Sequence, residues 1–311
     1  MKKFFLLLAI TTLFTGCGTP NDSPANDSQE MGTITMAVLP SLDGLPIFIA
    51  YEMGFFEDHG VNVELERFSA ARDRDMAFQA TDHIDGLVFD GIALAIYNSA
   101  GFDMVAVSSA LGLASVIGGE GIETLDDLYG STILISRNTA MDYILDRTLL
   151  AAGLLHDNVI IEEVPSLPTR LEMLLNGQAE AATLPEPFAT IAMLSGLNRV
   201  TYTHELGINP FIYSFRREVV EQRPEEVRAF FKGINSAVDF MNNAPRDEFV
   251  DILIDIVGYP EDTRDTLILP QFVHFTVPNA ERIQDVLNFS RDRGLLTVDI
   301  AAEDIIVDVF N

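Results

Sequence analysis

The polar chemistry of this chain collects in short segments lying between apolar runs and helix-like stretches. They are Pro40-Ser41-Leu42-Asp43-Gly44, Phe68-Ser69-Ala70-Ala71-Arg72, Phe89-Asp90-Gly91, Ser136-Arg137-Asn138-Thr139, Ser166-Leu167-Pro168-Thr169 and Pro185-Glu186-Pro187. Arg72 and Arg137 can hold an anionic or carbonyl-bearing ligand, because a guanidinium is a fixed fork of donors. The same two arginines can instead pair with Asp73, Asp75 or Asp142 on the surface. Asp43 and Asp90 can accept from a ligand amine, with a turn role equally open to Asp43. The hydroxyls of Ser69 and Thr139 suit helix N-caps as well as ligand contacts. Phe68, Phe89, Tyr143, Phe188 and Tyr213 are rings able to sandwich a flat heteroaromatic. The candidate ligand residues are therefore Ser41, Asp43, Phe68, Ser69, Arg72, Phe89, Asp90, Ser136, Arg137, Asn138, Thr139, Thr169, Glu186 and Tyr213.

Catalytic signatures are missing from the sequence. The five histidines, at 59, 83, 156, 204 and 274, have no metal-ligand spacing, and there is no HExxH or CxxC. No Gly-x-Ser-x-Gly elbow, Walker loop or GxGxxG loop occurs. The expectation is capture without chemistry, with no catalytic residue, no metal and no cofactor.

Strands and helices alternate around the polar segments. Strands are expected at 33–39, 61–65, 84–89 and 104–108, with helices at 45–53, 73–80 and 91–99. The pattern restarts after Gly118-Gly119, with strands at 132–135, 159–164 and 179–184 and helices at 140–152 and 171–175. Such alternation implies parallel βαβ units, and the polar segments then fall at carboxyl ends of strands, where open α/β sheets bind ligands near helix N-termini. The two series align at an offset of about 95 to 99 residues, pairing Val38 with Ile135, Gly54 with Gly153, Val63 with Ile161 and Asp85 with Glu180. Two similar α/β lobes are expected, followed by helices starting at Pro224 and spanning 247–257 and 280–291.

The chain has 311 residues and a formal net charge of −28. That charge opposes binding to nucleic acid phosphates and to anionic lipid surfaces. Met1-Lys2-Lys3 followed by the apolar run Phe4–Phe14 reads as an export signal, because about 20 apolar residues are needed to span a bilayer. The only cysteine, Cys17, follows Thr15-Gly16 in a pattern that resembles a bacterial lipobox, with Phe14 where that motif prefers Leu. The resemblance implies cleavage before Cys17 and a diacylglycerol on its sulfur. Residues 1–16 would be the signal peptide and 17–31, polar and rich in Pro and Ser, a flexible tether.

Ala50-Tyr51-Glu52-Met53-Gly54-Phe55-Phe56-Glu57-Asp58-His59-Gly60-Val61-Asn62-Val63-Glu64-Leu65 resembles a block of the substrate-binding proteins of nitrate, sulfonate, taurine and thiamine-pyrimidine ABC importers. Ala80 to Asp90, Ile122 to Gly130, Gly177 to Ala182 and Pro185-Glu186-Pro187 are similar to later blocks in the same order. The resemblance implies an α/β, bilobal type II periplasmic-binding-protein (Venus-flytrap) fold, two lobes with mainly parallel sheets flanked by helices. Residues 32–117 plus 216–311 would form lobe 1 and 118–215 lobe 2. It also implies an extracytoplasmic monomer, lipid-anchored through Cys17, that takes a small molecule in the cleft and delivers it to an ABC permease with a cytoplasmic ATPase. The ligand would be a thiamine-type pyrimidine or other heterocycle, a sulfonate or nitrate. A lipid-anchored sensor, or a menaquinone-pathway-type enzyme on the same fold, are the alternatives; pyrimidine synthases of this fold use a Cys-rich segment absent here.

Overall fold

The computed structural model describes residues 32–267 and 269–311. The expected signal peptide, Cys17 and the tether of residues 17–31 lie outside the described residues. Ten strands make two five-stranded sheets: β1 (Thr33–Val38), β2 (Asn62–Arg67), β3 (Gly86–Asp90), β4 (Met104–Ser109), β5 (Ala114–Gly118), β6 (Thr132–Ile135), β7 (Ile160–Glu163), β8 (Ala181–Pro185), β9 (Asn198–Tyr202) and β10 (Phe211–Arg216). The first sheet runs β2-β1-β3-β10-β4 and the second β7-β6-β8-β5-β9. In each, four strands run one way and one runs against them: β10 between β3 and β4, β5 between β8 and β9. The order is the same in both sheets, as the internal repeat predicts.

The strands are apolar on both faces because helices cover both. In β4, Val105 and Val107 enter one buried cluster and Met104 and Ala106 another; in β8, Ala182 and Leu184 face one cluster and Ala181 the other. The expected helix after Gly91 is seen as Gly91–Ser99, and that after Thr139 as Ala140–Ala151, N-capped by the Thr139 hydroxyl on the Met141 N–H. The helix Pro224–Asn243 buries Val227, Phe230, Phe231, Ile234, Val238 and Met241, the stripe its spacing predicts. The segment expected as a helix over 247–257 is instead a short 3-10 turn, Arg246–Glu248, and a π-helical stretch, Ile252–Val257, closed by Gly258 at φ 94°.

The repeat is chemical as well as topological. The Asp85 carboxylate accepts from the Thr35 N–H at 2.8 Å, and Glu180 accepts from the Thr132 N–H at 2.7 Å. Arg74 and Arg170 are a second such pair, each buried four residues into the helix after its sheet's second parallel strand. Arg74 Nη1 donates to the Val88 carbonyl in β3, and Arg170 Nη1 donates to the Thr183 carbonyl in β8, both at 2.8 Å.

Sheet membership moves the expected lobe boundaries. β5 starts at Ala114 and belongs to the second sheet; β10 starts at Phe211 and belongs to the first. The two crossings, residues 110–113 and 203–210, run side by side: the Ala110 N–H donates to the Phe211 carbonyl at 2.9 Å and Asn209 Nδ2 to the Ala110 carbonyl at 2.7 Å. Gly112 is required there, since a Cβ would fall 2.0 Å from the Phe211 ring. The expected boundaries at 117/118 and 215/216 lie inside strands, because each crossing ends by pairing antiparallel, and that pairing has no local signature.

Candidate functional site

The carboxyl ends of β1, β2 and β3 bring Asp43, Arg74 and Asp90 together. Arg74 donates through Nε and Nη2 to Asp75 at 2.9 and 2.8 Å, and its guanidinium lies 5.7 Å from the centre of the Phe89 ring. Its charge reaches both Asp43 and Asp90. Asp90 N-caps the helix Gly91–Ser99: Oδ1 accepts from the Ile92 and Ala93 N–H groups at 3.0 and 2.9 Å. Its other oxygen accepts from the Ala140 N–H at 3.2 Å, the first residue of the helix behind β6. One carboxylate thus bridges the two halves.

On the second sheet, Arg170 is fully buried. Nε and Nη2 donate to the Val164 carbonyl at 2.9 and 2.8 Å, and Nη2 also donates to the Ser136 hydroxyl at 2.6 Å. With carbonyls and a hydroxyl for partners, burial pushes the guanidinium down to about 10, so it is still charged at neutral pH. Further out, the halves are tied by the Tyr143 hydroxyl donating to Asp285 at 2.6 Å, by Arg147 forked onto Asp285 at 3.1 and 2.8 Å, and by Arg293 on Asp146 at 3.3 Å.

A cavity of about 210 Å³ opens at the same end of the sheets, lined by Leu42, Leu113, Glu186, Thr190, Arg199, Tyr259, Leu267, Leu269 and Pro270. Its polar floor is Glu186, only 6% exposed. Glu186 accepts from the Thr190 N–H at 3.3 Å, bonds the Tyr259 hydroxyl and lies 3.5 Å from Arg199. Four leucines and a proline make the apolar part of the wall, and Glu186, Thr190, Arg199 and Tyr259 the polar part, so a bound molecule would meet an apolar slot with one polar end.

Of the sequence candidates, Glu186 lines this cavity, and Asp43 and Asp90 are half-buried near Arg74. Ser136 and Thr139 are structural: Ser136 receives Arg170, and Thr139 caps its helix and donates to the Ser136 carbonyl at 2.9 Å. Asn138 takes the left-handed conformation, φ 59°, with its N–H on Asp142 at 3.1 Å. Ser41 is half-buried and bonds the Leu39 carbonyl. Thr169 and Arg137 are exposed; Thr169 bonds the Ser166 N-cap and Arg137 reaches the Ile161 carbonyl at 3.4 Å.

Five placements differ from expectation. Tyr213 is fully buried among Phe230, Phe231 and Phe275, its hydroxyl on the Asp43 carbonyl at 3.1 Å, because it sits on the inward-facing register of β10. Phe89 is 3% exposed and packs on Tyr97 in the core, and Phe68 is half-buried against the same cluster. Ser69 is exposed and caps nothing, since the helix begins one residue later, after Ala70. Arg72 is exposed on that helix; the buried arginine is Arg74, two positions on. The cavity residues missed by sequence are Leu113 in a crossing, Thr190 in the helix Phe188–Leu194, Arg199 in β9, and Tyr259, Leu267, Leu269 and Pro270 in a C-terminal stretch with little regular structure.

Burial raises the carboxyl pKa of Asp43, Asp90 and Glu186, outweighing their hydrogen bonds and the nearby arginines. In the folded state these groups hold protons at higher pH than in the unfolded chain, where carboxyls titrate at about 4. Stability is therefore lost as pH rises through the folded values and regained as pH falls toward about 5. Asp127, Glu180 and Glu261 shift the opposite way, but they are exposed and screened. We expect the melting temperature to rise between neutral pH and about pH 5, as reduced self-repulsion in a chain of charge −28 also favours. A fall over that interval in a calorimetric pH series would contradict it.

The fold is that of solved periplasmic binding proteins. The periplasmic aliphatic sulphonate binding protein SsuA of Escherichia coli superposes with a TM-score of 0.77 at 16% identity, over 88% of this chain and 97% of SsuA. The periplasmic nitrate-binding protein NrtA of Synechocystis PCC 6803 gives 0.71 at 16% identity, over 89% and 85%. At these identities the likeness is one of fold. By sequence, a candidate binding protein of Brucella abortus (strain 2308) is 27% identical over 248 residues, covering 71% of this chain and 75% of that protein. Residues 27–257 match the NMT1-like family, and the chain belongs to it. Among the described residues no helix is long and apolar enough to cross a membrane.

Proposed function

We propose that this chain is the substrate-binding component of an ABC importer, a binding protein and not a catalyst. It takes a small heterocycle bearing N–H donors into the cavity between the sheets and hands it to a permease driven by a cytoplasmic ATPase. It works outside the cytoplasm as a monomer, anchored by lipid on Cys17. The observation carrying this reading is the cavity of about 210 Å³ with Glu186 at its base and wall residues from both halves of the chain. A cavity of about 150 Å³ holds benzene, so this one accommodates a single substituted ring. Glu186 already takes the Thr190 N–H and faces Arg199, and the lone pairs left on its oxygens are the acceptors a ligand N–H would meet. Closure of the halves on such a ligand is a hinge motion about the paired crossings, and it gives a permease a surface that differs between loaded and empty protein.

Titration calorimetry of the protein with 4-aminopyrimidine, ethanesulfonate and nitrate tests the reading. Aminopyrimidine should bind and be recovered unchanged. Glu186→Gln should weaken it about tenfold or more, the loss of one charge-assisted hydrogen bond. Consumption of the compound would point to catalysis, and unchanged affinity in Glu186→Gln would remove the cavity from the binding site.

A further inference from the structure

We propose that Asp90 is a built-in anion that determines specificity: its carboxylate takes the place between two helix N-termini that an anionic ligand group would use, and so turns the cleft away from sulfonate and nitrate. The inference rests on the importer reading only for the claim that the cleft is where ligand binds. Helix N-termini attract anions because their first N–H groups lack partners and carry partial positive charge. Here Oδ1 of Asp90 takes the Ile92 and Ala93 N–H groups of one helix, and Oδ2 takes the Ala140 N–H of another. Three donors, on helices from opposite halves, are spent on the protein's own carboxylate.

The surrounding charges agree. Arg74, the buried cation nearest this carboxylate, is committed to Asp75 through Nε and Nη2 and to the Val88 carbonyl through Nη1. Asp43 faces the same arginine. Around the cleft Asp43, Asp75, Asp90 and Glu186 stand against Arg74 and Arg199, an acidic balance. A second anion would enter a site whose helix donors are occupied and whose field repels it, whereas a neutral or cationic donor meets unspent acceptor capacity. Burial pushes the Asp90 carboxyl up, while the Ala93 and Ala140 N–H groups and the charge of Arg74 work against that and favour its ionised form. Within a fold whose solved members include sulphonate- and nitrate-binding proteins, one side chain sets the sign of the ligand.

The test compares wild type with Asp90→Ser, which keeps an N-capping oxygen but removes the charge and releases the Ala140 N–H. Circular dichroism checks that the variant folds, and Asp90→Asn serves if it does not. Binding of ethanesulfonate and of nitrate is read by calorimetry, with 4-aminopyrimidine as the parallel probe. We expect negligible affinity of wild type for both anions and a gain of about tenfold or more for at least one in the variant. Anion binding by wild type equal to that of the variant overturns the proposal, as does a folded variant that gains none. If neither protein binds aminopyrimidine but the variant gains an anion, the proposal stands and the heterocycle reading falls.

Discussion

Arg170→Met should lower the stability of the protein by about 3 kcal/mol, counted as one to two backbone acceptors stripped of their donors. Arg170 is completely buried and serves the Val164 and Thr183 carbonyls and the Ser136 hydroxyl, each within 2.9 Å. Replacing a buried ion pair by apolar groups is often neutral, because both charges leave together. That compensation is unavailable here: two of the three partners are main-chain carbonyls, one just past β7 and one in β8, which no side-chain substitution removes. Methionine fills most of the volume and relieves the desolvation that pushes the guanidinium down, so a net cost isolates the lost hydrogen bonds. At about 2–4 °C per kcal/mol for a chain of this size, the melting point should drop by about 6–12 °C. Lysine, with one ammonium for three acceptors, should recover only part of it. A methionine variant melting with wild type would mean that water replaces the guanidinium.

Phe230→Ala should be as damaging or more, at about 3–5 kcal/mol. Its ring lies flat on Phe56, centroids 5.2 Å apart and planes 5° from parallel, and meets Phe231 and Phe215 edge-on at 5.2 and 5.6 Å. These rings join the helix Pro224–Asn243 to Phe56, in the short helix Phe55–Asp58, and to β10. Gly233 lets the contact form, since a Cβ there would come 2.6 Å from the Phe56 ring. Removing one ring leaves a cavity its neighbours fill poorly, because Phe215 and Phe231 are each held by a further aromatic contact. Urea denaturation should show a lower midpoint at unchanged slope. A double-mutant cycle with Phe56→Ala should give a coupling of about 0.5–1.5 kcal/mol for the stacked pair. A loss below about 1 kcal/mol would mean that the aromatic core repacks.

The parallel strands and most helices were legible in the sequence because their signals are local: apolar runs of strand length, glycine at helix ends, Thr139 as a cap and the stripe after Pro224. β5, β9 and β10 were not. Their partners are set by the crossings, and Phe211–Arg216 has no pattern that distinguishes an inserted antiparallel strand from a connecting loop. The site was legible as loops and less so as side chains. Asp43, Asp90 and Glu186 stand where function was sought, but Phe89 and Tyr213 point into the core, a choice that depends on strand register. A helix starting at 73 leaves Arg72 in the loop, whereas the helix begins at Ala71 and buries Arg74. Arg74 and Arg170 also fall within the offset of about 95 to 99 residues that relates the two series, and an arginine repeated at that spacing is the signal the sequence carries. Tyr259, Leu267, Leu269 and Pro270 reach the cavity from a segment without periodicity, and nothing local marks them.

The exchange of strands at the crossings also sets a timetable. Every strand of the second sheet lies between Ala114 and Tyr202, so that sheet is complete once residue 202 has been synthesised. The first sheet starts at Thr33, yet β4 has no sheet neighbour until β10 arrives, and Met104 must wait for Arg216. Closing that span costs loop entropy before any pairing offsets it, which slows folding. As the chain emerges from the ribosome, the half that begins second is finished first. The earlier half stays open, with the edges of β3 and β4 exposed, for the time needed to make about a hundred more residues, roughly 5–20 seconds.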